Sequence, residues 1–524
     1  MLASANDNKR FQGTLEVLRL ALPTSAGMLN ATILQFLDAF LIAMFVGPEA
    51  LSAQFVAGIY AFVPISFCSG VVSVVNTYVS QNYGAGRLKQ CGQYTWQGLY
   101  LAVLGGLLVM PLALGSNGLF NLLAHTIKIS GGAVTPAYEI QLQAMYFRYM
   151  VAGAMLTVGA RVMEQFFYGT GRAGVVYVVS TISVAVNLLL AYALIPGKWG
   201  FPAMGLEGAA IATMIGWAIS VLLPLGLFLS RSNAAKYCTR RAWQFRPKML
   251  LDLLKIGWPA GLQFCNDIAA WGVFISFAVG FFGPIHTAAS TIVMRYLHVS
   301  FMPAIGVSIA CTALVGRYIG QGRPDLARKR AHAGLIIAIV YMGLCGLCFL
   351  LFRRQLVGVF LRSNGEMTEL IRQGLSRPED LSEILRIGSA IFLCAAAFQV
   401  FDALGIVFIG SLRGAGDTLA PMLVTLVLSW TLVVGAGLAC VKYLPQLTSI
   451  GPWIVASLYV TVLGLIMAWR FESGAWRKFN LLGQPTTSCL PEEAGVPADL
   501  SGPLVGTRTA STTEDTESTE KREA

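Results

Sequence analysis

Charged residues are scarce in this chain of 524 residues: only 12% are Asp, Glu, Lys or Arg, whereas 56% are hydrophobic. Soluble domains average about 25% charged and about 45–50% apolar residues. So little charge cannot cover a surface that faces water, and the mean hydropathy of +0.66 excludes both a soluble multidomain enzyme and a disordered chain. The remaining class is an integral membrane protein.

The motifs of ATP-driven and catalytic proteins are also missing. No G-x-x-x-x-G-K-[ST] loop occurs, which argues against an ATP-driven pump. The four histidines are scattered and no Ser/His/Asp or metal-ligand spacing is present, so we expect neither an enzyme nor a covalent cofactor. The N-terminus lacks the basic start, short apolar core and cleavage site of a secretory signal, so the first apolar run is expected to remain as a span.

Long apolar runs, by contrast, are abundant. A membrane-spanning helix needs about 20 mainly apolar residues. Twelve such runs, numbered here as spans 1 to 12, are centred near residues 33, 66, 106, 152, 184, 219, 268, 302, 342, 399, 430 and 461. They predict an all-α integral membrane protein.

Basic residues alternate between the loops that join these spans. They occur after spans 2, 6, 8 and 12 and are absent after spans 1 and 7, so the positive-inside rule places both termini in the cytoplasm. The net charge of +11 therefore reflects topology, and we expect no nucleic-acid partner, which would need a basic patch on a polar surface. Mixed charges after span 9 predict an amphipathic extracytoplasmic segment at 365–381.

The chain contains an internal repeat at a gap-free offset of 236 residues. The identities join rare structural residues within 65 positions: Pro23 with Pro259, Gly47 with Gly283, Pro48 with Pro284, Gly70 with Gly306, Gly84 with Gly320, Gly86 with Gly322 and Arg87 with Arg323. Six spans per repeat is an even number, so both halves enter the membrane in the same orientation. Two parallel halves are typical of transporters whose site lies at their interface near the midplane.

The predicted domains follow from the repeat and the loops. They are a cytoplasmic N-terminal segment (1–18), an N-lobe of spans 1–6 (19–232), a cytoplasmic inter-lobe loop (233–252), a C-lobe of spans 7–12 (253–475) and a cytoplasmic tail (476–524). The tail is polar, acidic and rich in Pro, Gly, Ser and Thr, so we expect it to be disordered.

Three aspartates stand alone inside predicted spans: Asp38 in span 1, Asp267 in span 7 and Asp402 in span 10. A charge at the bilayer centre costs at least about 2.5–3.5 kcal/mol and usually marks function. Each carboxylate could line a cavity and exchange a proton, because removal from water favours the neutral form. Alternatively it could bind Na⁺ beside neutral oxygens, or sit hydrogen-bonded in a packed core.

Two neutral residues could complete a cation site. Asn187 in span 5 and Thr213 in span 6 offer oxygens, although a lone polar residue in a span more often serves packing. In the repeat, Asp38 aligns with Phe274, so the halves share a scaffold but not their polar chemistry.

The other charged residues within spans have simpler interpretations. Glu164 in span 4 follows Arg161 by three residues, which puts both on one helix face and predicts a structural ion pair. Arg295 in span 8 could neutralise one of the aspartates or cap a helix end.

Several segments together resemble the multidrug and toxic compound extrusion (MATE) family. They are TYVSQNYGAGR (77–87), VNLLLAYALI (186–195), GLEGAAIAT (205–213), GWPAGLQFCND (257–267), FMPAIGVSIACTALVGRYIGQG (301–322) and FQVFDALGIVFIGSLRGAGDT (398–418). The resemblance covers roughly residues 15–475 in the right order, and the LRGAGDT segment after Asp402 is quite specific. Asp267 and Asp402 fall where the NorM-type bacterial branch carries its C-lobe carboxylates.

The resemblance implies two pseudo-symmetric six-helix lobes around a V-shaped central cavity. It implies a monomeric transporter in a bacterial inner membrane that exports small, amphipathic organic cations, driven by inward H⁺ or Na⁺. The implied coupling residues are Asp38, Asn187, Thr213, Asp267 and Asp402, and Na⁺ would bind at Asp38, Asn187, Thr213 and the Ala209 carbonyl. The implied cavity residues are Asp267, Asp402, Phe264, Trp271, Phe398 and Gln399.

Two positions depart from the family pattern. Many members carry Glu where this chain has the shorter Asp267, and a second polar residue where it has Ala191. The second departure favours protonation of Asp38 over Na⁺ binding.

Two rival functions stay open. A flippase for lipid-linked saccharides or lipids, from the same superfamily, should line its cavity with several cationic residues. Within the spans of this chain, Arg295 is the mid-span cationic candidate, against three aspartates. A membrane-embedded enzyme would need clustered catalytic residues within the spans.

Overall fold

The computed structural model describes residues 2–129, 136–362, 378–479 and 481–482. Regular structure in these residues is entirely helical, and eleven of their helices are long and apolar enough to cross a membrane. The predicted all-α membrane fold is confirmed. The tail from residue 483 and most of the predicted 365–381 segment lie outside the described residues; residues 378–381 open the helix of span 10.

Spans 1 to 6 form the N-lobe. In chain order its helices are Leu2–Phe45 (span 1), Pro48–Ser73 and Val75–Gly84 (span 2), and Leu88–Val109 and Pro111–Leu114 (span 3). The separate helix Ser116–Ile129 follows. Next come Ala137–Ala152 and Ala154–Gly169, which together form span 4, then Ala173–Leu194 (span 5), Gly205–Phe228 (span 6) and the short Arg231–Tyr237.

Spans 7 to 12 form the C-lobe. Its elements are Pro247–Val273 continued by the π-helix Phe274–Val279 and the 3₁₀ turn Gly280–Phe282 (span 7), Pro284–Gly320 (span 8), Pro324–Arg362 (span 9), Pro378–Ala415 (span 10), Leu419–Leu428, the π-helix Ser429–Ala436 and Gly437–Tyr443 (span 11), the 3₁₀ turn Pro445–Leu447, Ile450–Glu472 (span 12) and the 3₁₀ turn Ala475–Lys478.

Span 4 is the predicted span that is missing from the eleven. It consists of two helices of 16 residues each, interrupted at Gly153, and each is shorter than a membrane-crossing helix. A Cβ at Gly153 would lie 2.7 Å from the Trp217 ring of span 6. The break therefore lies where span 6 packs directly on the backbone of span 4.

The repeat is visible in the backbone conformation as well as in the sequence. Gly47 and Gly283 precede the prolines that open spans 2 and 8, with φ of 119° and 94°. After these spans, Gly86 and Gly322 have φ of 73° and 72°. Glycine adopts such left-handed conformations without the cost that a side chain would add.

The lobes meet backbone to backbone, and two of these contacts are related by the same offset of 236. A Cβ at Gly70 of span 2 would lie 2.6 Å from the Cα of Gly261 in span 7. Its counterpart is Gly306 of span 8, where a Cβ would lie 2.5 Å from the Cα of Ser25 in span 1. Small residues let helix backbones approach this closely within membranes.

Hydrogen bonds from side chains of the N-lobe to carbonyls of the C-lobe reinforce this interface. Thr24 and Ser25 donate to the carbonyls of Gly306 and Pro303, at 2.8 and 2.7 Å. The other two bonds run from span 2 to span 10: Thr77 Oγ1 to the Arg413 carbonyl at 2.8 Å and Gln81 Nε2 to the Gly414 carbonyl at 3.0 Å.

These four bonds lie toward one end of the bundle, the end with the two Gly-x-Gly-Arg turns and residues 229–247, which we call the basic end. The Tyr78 hydroxyl also donates to the Asp252 carbonyl there at 3.0 Å, and Glu16 of span 1 pairs with Arg330 of span 9 at 2.7 Å. At the opposite end, aromatic side chains of the two lobes are exposed instead, among them Phe36, Phe55 and Phe277 at 62%, 66% and 63%. The lobes are therefore joined at the basic end and diverge from it, as the arms of a V.

Replacing Gly306 by Val should lower the melting temperature of the purified protein, because overpacking a dense interface costs about 1–3 kcal/mol. The matched control is Gly343→Val in span 9, where a new Cβ meets nothing within 4 Å. Equal melting temperatures for the two variants would contradict the close contact.

Candidate functional site

The N-lobe carboxylate lies on span 1. Asp38 is buried at 9% exposure, and among the described residues it forms no hydrogen bond or ion pair. A buried carboxyl group without a partner is costly. It is therefore available to a proton or a cation.

Three oxygens of spans 5 and 6 come together nearby. Thr213 donates to the Ala209 carbonyl at 3.0 Å, and the Asn187 Nδ2 group donates to the Thr213 hydroxyl at 3.4 Å. The Asn187 Oδ1 atom is buried and has no hydrogen-bond partner among the described residues. An unsatisfied amide oxygen beside a hydroxyl and a carbonyl suits a hard cation such as Na⁺, which prefers oxygen ligands.

Asp38 lies at the depth of this cluster. Span 1 runs parallel to span 5, and Asn30 donates to Thr181 between them at 2.9 Å. With a rise of 1.5 Å per residue, Asp38 stands about 12 Å beyond that contact and Asn187 about 9 Å. The structure thus brings Asp38 and Asn187 to one level, although no hydrogen bond joins Asp38 to the cluster in the described residues.

A further N-lobe residue was missed by the sequence analysis. Tyr146 in span 4 is 6% exposed, and its hydroxyl interacts electrostatically with Asp38 and by a hydrogen bond with Gln54. A tyrosine inside a span buries its ring with a polar tip, which is the signal that could have pointed to it.

The C-lobe brings its two carboxylates together around one tyrosine. Tyr459 of span 12, another residue missed from sequence, interacts electrostatically with both Asp267 and Asp402. Asp267 and Asp402 are partly exposed as residues, whereas Asp38 is buried.

Polar bridges hold Asp267 in place. Its neighbour Asn266 donates to Ser429 at 3.0 Å and accepts from Trp430 Nε1 at 2.8 Å, and both partners belong to the π-helix of span 11. One turn earlier, Gln263 donates to Thr425 of the same span at 3.2 Å. These bonds fix the orientation of span 7 at the aspartate.

Arg413 near the end of span 10 supplies an internal cation. It interacts electrostatically with Asp267, and its guanidinium lies over the ring of Phe264 at 5.2 Å from the centroid. The aromatic face predicted to stack on a cationic cargo is thus covered by a cation of the chain itself. Sequence proximity could not show this, because Arg413 is 146 residues from Asp267.

The other predicted cavity residues lie deeper in the C-lobe. Trp271 packs edge-on against Phe274, with ring centroids 5.5 Å apart. Phe398 and Gln399 are 4% and 1% exposed; the Gln399 Oε1 atom accepts from Ser300 at 3.4 Å, and its Nε2 atom lacks a partner among the described residues.

The simpler interpretations of the remaining charges can also be checked. The predicted ion pair of Arg161 with Glu164 is confirmed, with an N–O distance of 3.0 Å. Arg295 is exposed on span 8.

Comparison with known proteins gives a single family. The model of the MatE family matches residues 23–193 and 259–436 of this chain. The two matched stretches begin 236 residues apart, at Pro23 and Pro259, which is the offset of the internal repeat.

Relatives extend along most of the chain. The "Probable multidrug resistance protein NorM" of Synechocystis sp. is 27% identical over 469 residues, covering 89% of this chain and 96% of the relative. The "Multidrug resistance protein NorM" of Burkholderia vietnamiensis is 27% identical over 462 residues, covering 87% and 93%.

Solved structures share the fold. A MOP superfamily transporter from Pyrococcus furiosus superposes with a TM-score of 0.77 at 19% identity, covering 89% of this chain and 97% of the other. A multidrug resistance MATE family transporter described in an outward-facing conformation gives 0.76 at 19% identity with the same coverage.

Removing one member of the Asp267–Arg413 pair should destabilise the protein more than removing both. A charge left without its counter-charge in this largely apolar setting costs more than the loss of both charges, which can be nearly neutral. We expect Arg413→Gln to melt at a lower temperature than the Asp267→Asn/Arg413→Gln double variant. Additive effects in this double-mutant cycle would show that the two groups do not interact.

Proposed function

We propose that this chain, which belongs to the MatE family, is a multidrug efflux transporter that exports amphipathic organic cations in exchange for inward H⁺ or Na⁺. The observation that carries the proposal is the arrangement of three intramembrane aspartates in two lobes, one buried without a hydrogen bond among the described residues and two partly exposed near Tyr459. Its relatives bear the names of multidrug resistance proteins, and the family consists of transporters rather than enzymes.

The N-lobe is the proposed coupling site. Asp38 takes up the driving ion, either as a proton or as Na⁺ shared with Asn187, Thr213 and the Ala209 carbonyl. The unsatisfied Asn187 oxygen supports Na⁺, whereas the absence of a hydrogen bond between Asp38 and that cluster supports a proton. Tyr146 of span 4 would respond to a change in the charge of Asp38 through the electrostatic interaction of its hydroxyl with that carboxylate.

The C-lobe is the proposed cargo site. A cationic compound would pair with Asp267 and Asp402, with Phe264 and Trp271 beside them. Phe398 and Gln399, which are 4% and 1% exposed in the described conformation, would reach the compound only after a rearrangement of the C-lobe. Because Arg413 already occupies the face of Phe264, cargo would compete with it for both the ring and Asp267. Asp267 and Asp402 are also proposed coupling residues: a proton or Na⁺ taken up there would compete with the cargo for the same carboxylates, and such coupling is reciprocal.

Alternating access would use the interface at the basic end. By the positive-inside rule this end faces the cytoplasm of a bacterial inner membrane, as do both termini. The described conformation, joined at the basic end, is then open outward. Opening inward would break contacts across this interface, among them the four hydrogen bonds to the carbonyls of Gly306, Pro303, Arg413 and Gly414 and the ion pair of Glu16 with Arg330.

We call the inter-lobe interface at the basic end the gate. Weakening the gate should shift the population toward the inward-open form. We expect the Thr77→Val/Gln81→Leu variant to shorten the distance between spin labels at positions 49 and 442, which stand at the opposite end in the two lobes, as measured by double electron–electron resonance. Thr170→Val is the control, because its hydroxyl bonds only within its own helix, to Phe166 and Phe167. An unchanged distance in the Thr77→Val/Gln81→Leu variant would show that these two hydrogen bonds do not hold the gate closed.

Coupling is tested by transport in vesicles. Wild-type protein should move a fluorescent cationic dye only under an imposed H⁺ or Na⁺ gradient, and Asp38→Asn should reduce that movement at least about tenfold, since a coupling group is lost rather than a uniform contact. Asp325→Asn is the control, an exposed carboxylate paired with Arg477 at the surface.

Three outcomes would overturn the proposal. Dye movement without a gradient, or full activity of Asp38→Asn, would exclude ion coupling at this residue. Preferred movement of anionic lipid-linked saccharides would make the chain a flippase instead.

A further inference from the structure

The strap between the lobes, residues 229–247, builds a cavity outside the transport site. The open cavity measures about 490 Å³ and is lined by Trp96, Tyr100, Leu229, Arg240 and Trp243. It lies at the basic end, where span 3 begins and span 6 ends. Aromatic side chains at that depth are typical of the boundary between lipid and water.

The walls of this strap cavity are fixed by hydrogen bonds to the backbone of the strap. Trp96 Nε1 donates to the Thr239 carbonyl at 2.8 Å, and the Tyr100 hydroxyl donates to the Trp243 carbonyl. The ring of Trp243 itself is 61% exposed. The cavity is therefore a feature of the fold, with one exposed aromatic wall.

Arg240 is held so that its outer nitrogens are free. Its Nε atom donates to the Leu229 carbonyl at 2.8 Å, at the end of span 6. In the described part of the chain its two terminal nitrogens form no hydrogen bond or ion pair. A guanidinium with two free donors in a fork matches a phosphate group.

The sequence around the strap carries charge of one sign. Between Glu207 and Asp252 the sequence contains no acidic residue, but it contains six basic ones: Arg231, Lys236, Arg240, Arg241, Arg246 and Lys248. All six are exposed. Such a cluster beside a membrane attracts anionic lipid headgroups.

An apolar surface continues from the cavity into the bilayer. On span 3, Leu104 and Leu107 follow Tyr100 by four and seven residues and share its helix face, with 51% and 56% exposure. On span 6, Leu222 precedes Leu229 by seven residues and is 63% exposed. The two rows would accommodate acyl chains beneath a headgroup.

We propose that the strap cavity is a binding site for an anionic phospholipid of the leaflet at the basic end. Its phosphate pairs with Arg240, its headgroup lies against Trp243, and its chains follow spans 3 and 6. Because the strap connects span 6 to span 7, this lipid ties the connection between the lobes to the membrane surface. The site is independent of the proposed transport chemistry.

The test uses the full-length purified protein and two probes, phosphatidylglycerol and phosphatidylcholine, with bound lipid counted by native mass spectrometry. Wild type should retain phosphatidylglycerol in preference, and Arg240→Gln should reduce that retention at least about tenfold, the effect expected when a charge-assisted hydrogen bond to phosphate is lost. A basic residue that only attracts the membrane surface contributes about fivefold. Trp243→Ala should reduce it as well, and its exposed ring makes that variant safe for folding. The matched control is Arg231→Gln, which removes the same charge from the cluster outside the cavity.

Other results would overturn the site. Equal losses in Arg240→Gln and Arg231→Gln would show diffuse attraction to the whole basic cluster. Equal retention of the two lipids would exclude recognition of an anionic headgroup. Displacement of phosphatidylglycerol by a cationic dye would assign the cavity to cargo.

Discussion

The close approach of the two lobes at the basic end is the constraint on which the rest of the structure depends. Backbone touches backbone where Gly70 meets Gly261 and where Gly306 meets Ser25. Any larger side chain would hold the lobes apart, and the aspartates of the two lobes would then face separate spaces. Since the contact uses little side-chain volume, few interlocked groups must be pulled apart when it opens. A joint of this kind can be tight in one state and still separate in the other.

The symmetry of the scaffold makes the asymmetry of the polar groups informative. Both interface contacts obey the offset of 236, yet Asp38 has Phe274 as its counterpart. The N-lobe isolates one carboxylate beside neutral oxygens, while the C-lobe gathers two carboxylates, a tyrosine and an internal cation. Duplicated frames therefore carry different chemistry, as expected if one lobe handles the driving ion and the other the transported compound.

Sequence reasoning reached the fold because membrane burial leaves strong local signals. Apolar length predicted the spans, and glycine and proline spacing predicted the repeat. Among the described residues only span 4 falls short of the apolar content of a span, because it carries Glu139, Arg148, Arg161 and Glu164. The isolated aspartates were also visible, since charge is rare in spans. The partners of these aspartates were not, because Tyr146, Tyr459 and Arg413 belong to other helices, and their meeting depends on helix rotation that periodicity does not determine.

The gate has an evolutionary consequence that follows from its acceptors. Four of the hydrogen bonds across it end on the backbone carbonyls of Gly306, Pro303, Arg413 and Gly414, whereas Glu16 pairs side chain to side chain with Arg330. A backbone carbonyl is present whatever the side chain of its residue. Selection can therefore conserve the donors Thr24, Ser25, Thr77 and Gln81 while the sequences of the acceptor helices change, provided that small residues remain at the contact. Transporters that share about a fifth of their residues with this chain could in this way diverge in cargo and ion without having to reinvent the joint about which they move.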